Sequence, residues 1–257
     1  MAEIDGLQIL ETTTDDSGAR VHRIKSTGQN AKTTIRVLLP KDTSEKLRTL
    51  YVLPVEALDG GAWGDSIGEF LKHDFHNKYQ LACVFPTFAQ LPWFADHPTN
   101  QDIQQEAYFL NHVVRLVEST YSVQAERRGR YLLGFSKSGW GAWSLLLRNP
   151  DRFEKAAAWD APMMMDWPSK YGSQPIFANE HNFEKYQITK LLAAKRGYLQ
   201  ASSRLVLTGF GNFRDQHVAC REFMRSKQIA HIYRDGPKRK HHWSSDWVAE
   251  SLELMFR

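Results

Sequence analysis

Residues 131–148 read YLLGFSKSGWGAWSLLLR, and this stretch decides the fold. A short apolar run reaches Gly134, a tight turn carries Phe135, Ser136, Lys137 and Ser138, and a helical pattern runs from Gly139 to Arg148. A strand passing through a sharp bend into a helix is the setting that exposes a serine nucleophile. A serine hydroxyl is weakly nucleophilic, so it must stand clear of the sheet beside hydrogen-bond donors. The bend presents it there and aims a helix N-terminus at developing negative charge. Small residues flank the serine because the strand and helix backbones pass close together. Gly134 fills the first small position of G-x-S-x-G, and Ser138 stands where the second glycine is usual. Taken alone, the segment also reads as an ordinary strand–helix turn with incidental serines.

Working outward, residues 7–40 alternate polar and apolar in three runs (7–13, 19–26 and 33–39) separated by Asp, Ser, Gly and Asn turns. These read as antiparallel strands. Beyond them the pattern changes to short apolar strands at 50–53, 81–86, 130–134, 155–159, 204–208 and 230–234. Helical patterns lie between and after them, at 66–73, 101–121, 139–148, 183–196, 217–227 and 243–255. The 101–121 pattern puts Ala107, Leu110, Val113, Val114 and Val117 on one face. Strands alternating with helices predict an α/β fold, with a mostly parallel sheet, antiparallel N-terminal strands and helices on both faces. No repeat or linker divides the chain, so residues 1–257 read as a single domain. Residues 163–182 are rich in Pro, Gly and Asn and read as a loop or cap insertion over the sheet edge.

A serine nucleophile needs a base, and the base needs a group to orient it. In an α/β-hydrolase fold the chain order is serine, acid, histidine. His241 and His242 lie between the last predicted strand and the last helix, where the base belongs. The loop after the 204–208 strand runs from Gly209 to His217, and Asp215 is its only carboxylate. Ser136, one of these two histidines and Asp215 therefore form the expected catalytic set. Any one of them alone reads as a surface or capping residue; Asp215, for example, suits the start of a helix.

The segment GFSKSGWGAWSLLLRNPDRFEKAAAWDAP resembles the esterase family that includes esterase D, feruloyl-esterase-like enzymes and mycolyltransferases. Members typically show G-x-S-M-G-G-x-G-A, a helix, H-P-D-x-F and a strand of small residues. Here the H-P-D-x-F position reads Asn149-Pro150-Asp151-Arg152-Phe153. The family's C-terminal H-x-W implies His241 as the base, two residues before Trp243. The resemblance spans residues 33–257 and implies an α/β-hydrolase fold and a serine esterase acting through an acyl-enzyme.

Two features depart from that pattern. Where the family carries His-Gly after the strand at 50–53, this chain reads Leu53-Pro54-Val55-Glu56-Ala57. Pro54 has no N–H to donate, so the expected oxyanion donors are the backbone of Val55 or Glu56 and that of Lys137. Loss of one such donor typically costs on the order of 3 kcal/mol of barrier, so this is the most serious departure. The family's acid position also aligns with Asn212, leaving Asn212 or Asp160 as alternatives to Asp215. Glu56 beside an oxyanion would oppose its charge, so a role toward a substrate hydroxyl or amine, or toward Lys137, suits it better.

Trp93 and Trp140, with Asp160, are the expected substrate-binding residues, since aromatics stack on sugar or phenolic rings. Core packing is an equal reading of each tryptophan. His241, His242 and Asp246 lack the spacing and helical setting of zinc ligands, so no metal and no cofactor is expected.

With 33 basic and 29 acidic residues the net charge is +4, too small an excess to imply nucleic-acid or membrane binding. The basic run at 237–242 reads as a solvated loop. Two cysteines, Cys83 and Cys220, form no disulfide framework. No signal-peptide pattern opens the chain and no apolar run nears about 18 residues, which favours a cytoplasmic protein without a membrane span. The expected partner is a small-molecule ester, with homo-oligomerisation left open. An acyltransferase and a weakly catalytic binding protein on the same fold are the competing classes.

Overall fold

The computed structural model describes residues 3–200 and 202–257. Nine strands form: β1 (Leu7–Thr14), β2 (Arg20–Ser26), β3 (Thr33–Leu38), β4 (Arg48–Val52), β5 (Leu81–Pro86), β6 (Arg130–Phe135), β7 (Lys155–Trp159), β8 (Leu205–Phe210) and β9 (His231–Lys238). They make one sheet in the order β1-β2-β3-β5-β4-β6-β7-β8-β9. From β5 to β9 every pairing is parallel. The first three strands join antiparallel at one edge. This is the mixed α/β architecture the sequence predicts.

Side-chain alternation divides the apolar residues between two faces. On β6, Leu132 enters one core while Tyr131, Leu133 and Phe135 enter the other. Burial on both faces explains why these strands read as continuous apolar runs. The second face is covered by α1 (Ser66–Lys72), α2 (Phe75–Lys78) and a C-terminal helix, Trp247–Met255. The first face carries α3 (Gln105–Tyr108), α4 (Val114–Thr120) and α5 (Ser136–Arg148). A π turn at Phe109–Val113 joins α3 to α4, so the helical pattern expected over 101–121 starts at Gln105.

The segment expected as a loop or cap is a loop carrying α6 (Gln174–Phe177) and the start of α7 (Glu180–Glu184). The helix expected at 183–196 is broken into α7, α8 (Ile188–Ala194) and α9 (Arg196–Leu199). Next comes α10 (Arg214–Ser226), and the C-terminal helix is α11. Cys83 and Cys220 are buried free thiols. Among the described residues no helix is long and apolar enough to cross a membrane.

The topology positions a site. From β4 the chain crosses to β5 on one side, while β6 lies on the other. At such a switch point the loops leaving adjacent parallel strands diverge and open a crevice at the carboxyl ends. The loop leaving β4 begins Leu53-Pro54-Val55-Glu56, and the turn leaving β6 holds Ser136.

Candidate active site

Ser136 has φ of 52°, in the left-handed region that a non-glycine residue occupies at a cost. Several contacts hold it there. Its N–H donates to the Asp160 carbonyl at 3.1 Å. The Ser138 hydroxyl accepts from the Phe135 N–H at 3.1 Å and donates to the Phe135 carbonyl at 2.9 Å. Ser138, in place of the usual glycine, thus staples the bend. Gly134 admits no side chain, because a Cβ there would lie 2.4 Å from the Ser138 carbonyl oxygen. Ser136 keeps 7% of its surface accessible.

His241 lies on the loop between β9 and α11, and its Nδ1 is 2.5 Å from Oδ2 of Asp160. Asp160 follows β7 directly, is fully buried and also has positive φ, 41°. Its other oxygen accepts from the N–H groups of Asn212 and Phe213, at 2.7 and 2.8 Å. Burial acts to raise the Asp160 pKa. The hydrogen bonds from His241 and from the Gly211, Asn212 and Phe213 N–H groups outweigh it and hold the carboxyl below the usual carboxylate range. Gly211 makes this wrap possible, since a Cβ there would meet Asp160 Oδ2 and the Arg239 carbonyl, each at 2.7 Å.

The expected acid, Asp215, needs correction. It sits exposed in the first turn of α10, where an acidic side chain complements the helix dipole. Asn212 is also not the partner: its backbone serves Asp160. Asp160 is correspondingly not a substrate-binding wall, because it stands behind His241. A signal for it was present in the sequence. A carboxylate closing a run of three alanines and a tryptophan lies where a buried charge demands a partner.

The two histidines separate cleanly. His242 Nδ1 lies 2.8 Å from the Ser244 hydroxyl, and its ring packs on Gly64. His241 meets Trp63 and Phe135 edge-on, at centroid distances of 5.0 and 5.1 Å. Trp243 is buried against Phe135 and Trp159, and its N–H donates to the Trp63 carbonyl at 3.0 Å. It anchors the histidine loop to the loop that carries Trp63.

Ser136 and His241 open into one cavity of about 400 Å³, lined also by Trp63, Lys137, Pro162, Tyr171, Asn212 and Phe213. Trp93 and Trp140 do not reach it. Both are wholly buried, 5.4 Å apart edge to face, with Trp140 also packed against Phe177 and Phe183. They are core residues, because Trp140 falls on the inward stripe of α5. The aromatic walls are Trp63, Tyr171 and Phe213, which the sequence reading did not single out. A loop tryptophan between glycines, at Gly61-Ala62-Trp63-Gly64, was the available signal for the first of them.

Val55 and Glu56 border a neighbouring cleft of about 420 Å³ with Gly60, Gly64, Asp65 and Trp243. The Glu56 carboxylate accepts from the Trp63 N–H at 3.3 Å. Among the described residues, no hydrogen bond engages the backbone N–H of Val55 or Glu56. One group of three possible metal ligands occurs among the described residues: Glu69, His73 and Asp246, with donor atoms within 4.8 Å. None of them lines the cavity, and Glu69 and His73 already pair at 3.1 Å on one helix face.

A serine on a left-handed strand-to-helix bend, beside an imidazole backed by a buried carboxylate on a mostly parallel sheet, defines an α/β-hydrolase. The chain belongs to the esterase family: the family described as "Putative esterase" matches residues 26–195. This protein is a carboxylic ester hydrolase. Solved structures share the fold along the whole chain. A ferulic acid esterase is 17% identical with a TM-score of 0.67, covering 98% of both chains. The S-formylglutathione hydrolase of Staphylococcus aureus is 15% identical with a TM-score of 0.70, covering 98% of this chain and 99% of that one. A fluorophosphonate-binding serine hydrolase of Staphylococcus aureus is 14% identical with a TM-score of 0.67, covering 98% of each chain.

Proposed function

We propose that the protein cleaves small-molecule esters through a Ser136–His241–Asp160 triad and an acyl-enzyme. The observation that carries this reading is the 2.5 Å contact between His241 and Asp160, on an imidazole sharing a cavity with Ser136. Asp160, held ionised, can only accept, so Nδ1 of His241 carries the proton and Nε2 keeps its lone pair. That tautomer lets Nε2 take the Ser136 proton as the hydroxyl attacks the ester carbonyl. The Asp160 charge stabilises the imidazolium that forms. His241 then protonates the leaving alcohol, and a water molecule, activated by the same nitrogen, releases the acyl group.

The tetrahedral oxyanion would rest on the Lys137 N–H, a first-turn donor without an intrahelical partner, and on the N–H of Val55 or Glu56. The free state of the latter two N–H groups supports this assignment, and it removes the need for the family's His-Gly pair, since only backbone is required. Asp160 replaces Asp215 as the acid in the proposal.

The test is labelling with a fluorophosphonate probe, together with hydrolysis of a short p-nitrophenyl ester. The expected result is one modified residue, Ser136, and loss of both labelling and turnover in Ser136→Ala. Turnover that survives Ser136→Ala undiminished, or a label on another residue, would overturn the reading.

A further inference from the structure

Lys137 follows the nucleophile directly, where the family pattern has methionine. It lines the cavity with Ser136 and His241 and is only half-exposed. The remaining lining residues are Trp63, Pro162, Tyr171, Asn212 and Phe213, so the cavity wall holds a lysine and no carboxylate. Among the described residues, none engages the Lys137 ammonium in a hydrogen bond or ion pair. Glu56 attracts it only from a distance, and the Glu56 carboxylate is turned to the Trp63 N–H in the adjacent cleft. Of the other charges of that cleft, Arg36 faces Asp59 at 3.0 Å and Asp15 at 3.7 Å, and Asp65 caps α1 by accepting from the Ile67 N–H at 2.9 Å.

A partly desolvated ammonium without a counter-charge is costly to keep. Burial accordingly pulls the Lys137 pKa down, against the raising influence of Glu56. An anionic group entering the cavity would remove that cost and gain a charge-assisted hydrogen bond.

We propose that Lys137 determines specificity by binding a negative charge on the substrate, so that the preferred esters carry a carboxylate or phosphate near the scissile bond. This rests on the reading of Ser136 and His241 as nucleophile and base. The ammonium acts on the bound ester's charge, while the backbone of the same residue serves the oxyanion. The charge can sit on either side of the ester bond.

The experiment compares matched charged and neutral esters in wild type, Lys137→Met and Lys137→Arg. For the acyl side the pair is p-nitrophenyl hemisuccinate and p-nitrophenyl butyrate. For the alcohol side it is acetoxybenzoate and its methyl ester. Wild type should favour the anionic member of at least one pair in kcat/KM. Lys137→Met should lower that anionic-to-neutral ratio about tenfold, the size of a charged hydrogen bond. Lys137→Arg should largely keep it, and salt should erode it. Which pair responds identifies the side that carries the charge. Ratios unmoved by Lys137→Met, or equal losses on charged and neutral esters, would overturn the proposal. Failure of the underlying reading would show separately, as absent fluorophosphonate labelling of Ser136.

Discussion

His241 and Asp160, 81 positions apart in the chain, meet at 2.5 Å through Nδ1 and Oδ2. The carboxylate is fully buried, and its second oxygen is held by two backbone N–H groups of the loop after β8. The carboxylate that meets the imidazole thus comes from the end of β7, while the loop of the next strand only cradles it. A carboxylate so fixed sets both the tautomer and the angle of the imidazole.

Replacing Asp160 by Asn therefore leaves a group of the same shape that can donate to Nδ1 and stabilise the wrong tautomer. The expected loss in kcat is on the order of 10³–10⁴. Asp215→Asn, at an exposed first-turn position, should stay within about twofold, since a surface change there costs at most a few tenths of a kcal/mol. Steady-state hydrolysis of a p-nitrophenyl ester by both variants decides the matter. The opposite ranking would return Asp215 to the acid's role.

The exposed position of Asp215, away from His241, shows where sequence stops being informative. All nine strands and the serine bend were legible because burial on two faces, turn residues and small flanking positions are local signals. The choice of His241 over His242 came from the resemblance to the family's H-x-W, and His241 is the histidine that meets Asp160. The carboxylate beside the imidazole was only partly legible: Asp160 closes an apolar run, but which aspartate the loops fold around is not a local signal. Gly211 lets the loop after β8 close on Asp160, and no local pattern announces that closure. Trp93 and Trp140 misled for a related reason. Sequence proximity to the site says nothing of which side of a helix or loop faces the core.

Trp63 is 38% exposed, lines the cavity and packs its ring edge-on against His241. An edge-to-face aromatic pair is worth about 0.5–1.5 kcal/mol beyond burial. Trp63→Ala should loosen the imidazole and lower kcat/KM by roughly three- to tenfold, and Trp63→Phe should recover most of it. The loop itself is tied down through backbone groups, so the melting temperature should hardly move. A large fall in Tm with unchanged kinetics would make Trp63 a packing residue only.

Gly134 tests the bend. A methyl group there would collide with the Ser138 carbonyl carbon and oxygen, at 2.5 and 2.4 Å, both backbone atoms that cannot swing aside. Relief requires the strand and helix to part. Gly134→Ala should cost about 2–3 kcal/mol, which for a chain of this size lowers Tm by roughly 5–10 °C in calorimetry. Ester turnover should fall with it, because the same shift moves Ser136. An unchanged Tm would mean that the close approach at the elbow is not real.

His217 provides a pH-dependent test of the acid loop. It is buried at the start of α10, and its Nε2 accepts the Ala161 N–H at 2.9 Å, one residue past Asp160. Burial pushes its pKa down to about 4, against weaker raising effects from Asp160 and the Ala161 hydrogen bond. Above the ordinary histidine range neither folded nor unfolded chain binds this proton, so the group is neutral in the balance. As pH falls from about 6.5 toward 4 the unfolded chain binds it and the folded chain does not. Stability therefore declines across that window, by about 3 kcal/mol when complete. Asp160 behaves differently: its depressed pKa contributes stability that is present above the usual carboxylate range and is lost only at lower pH, as the folded carboxyl takes up a proton. His217→Gln keeps an acceptor for the Ala161 N–H and removes the titration. Urea unfolding between pH 4 and 7 should show a flatter stability profile for this variant than for wild type. Parallel profiles across that range would mean that His217 is protonated in the folded protein, and that the Ala161 N–H has some other acceptor.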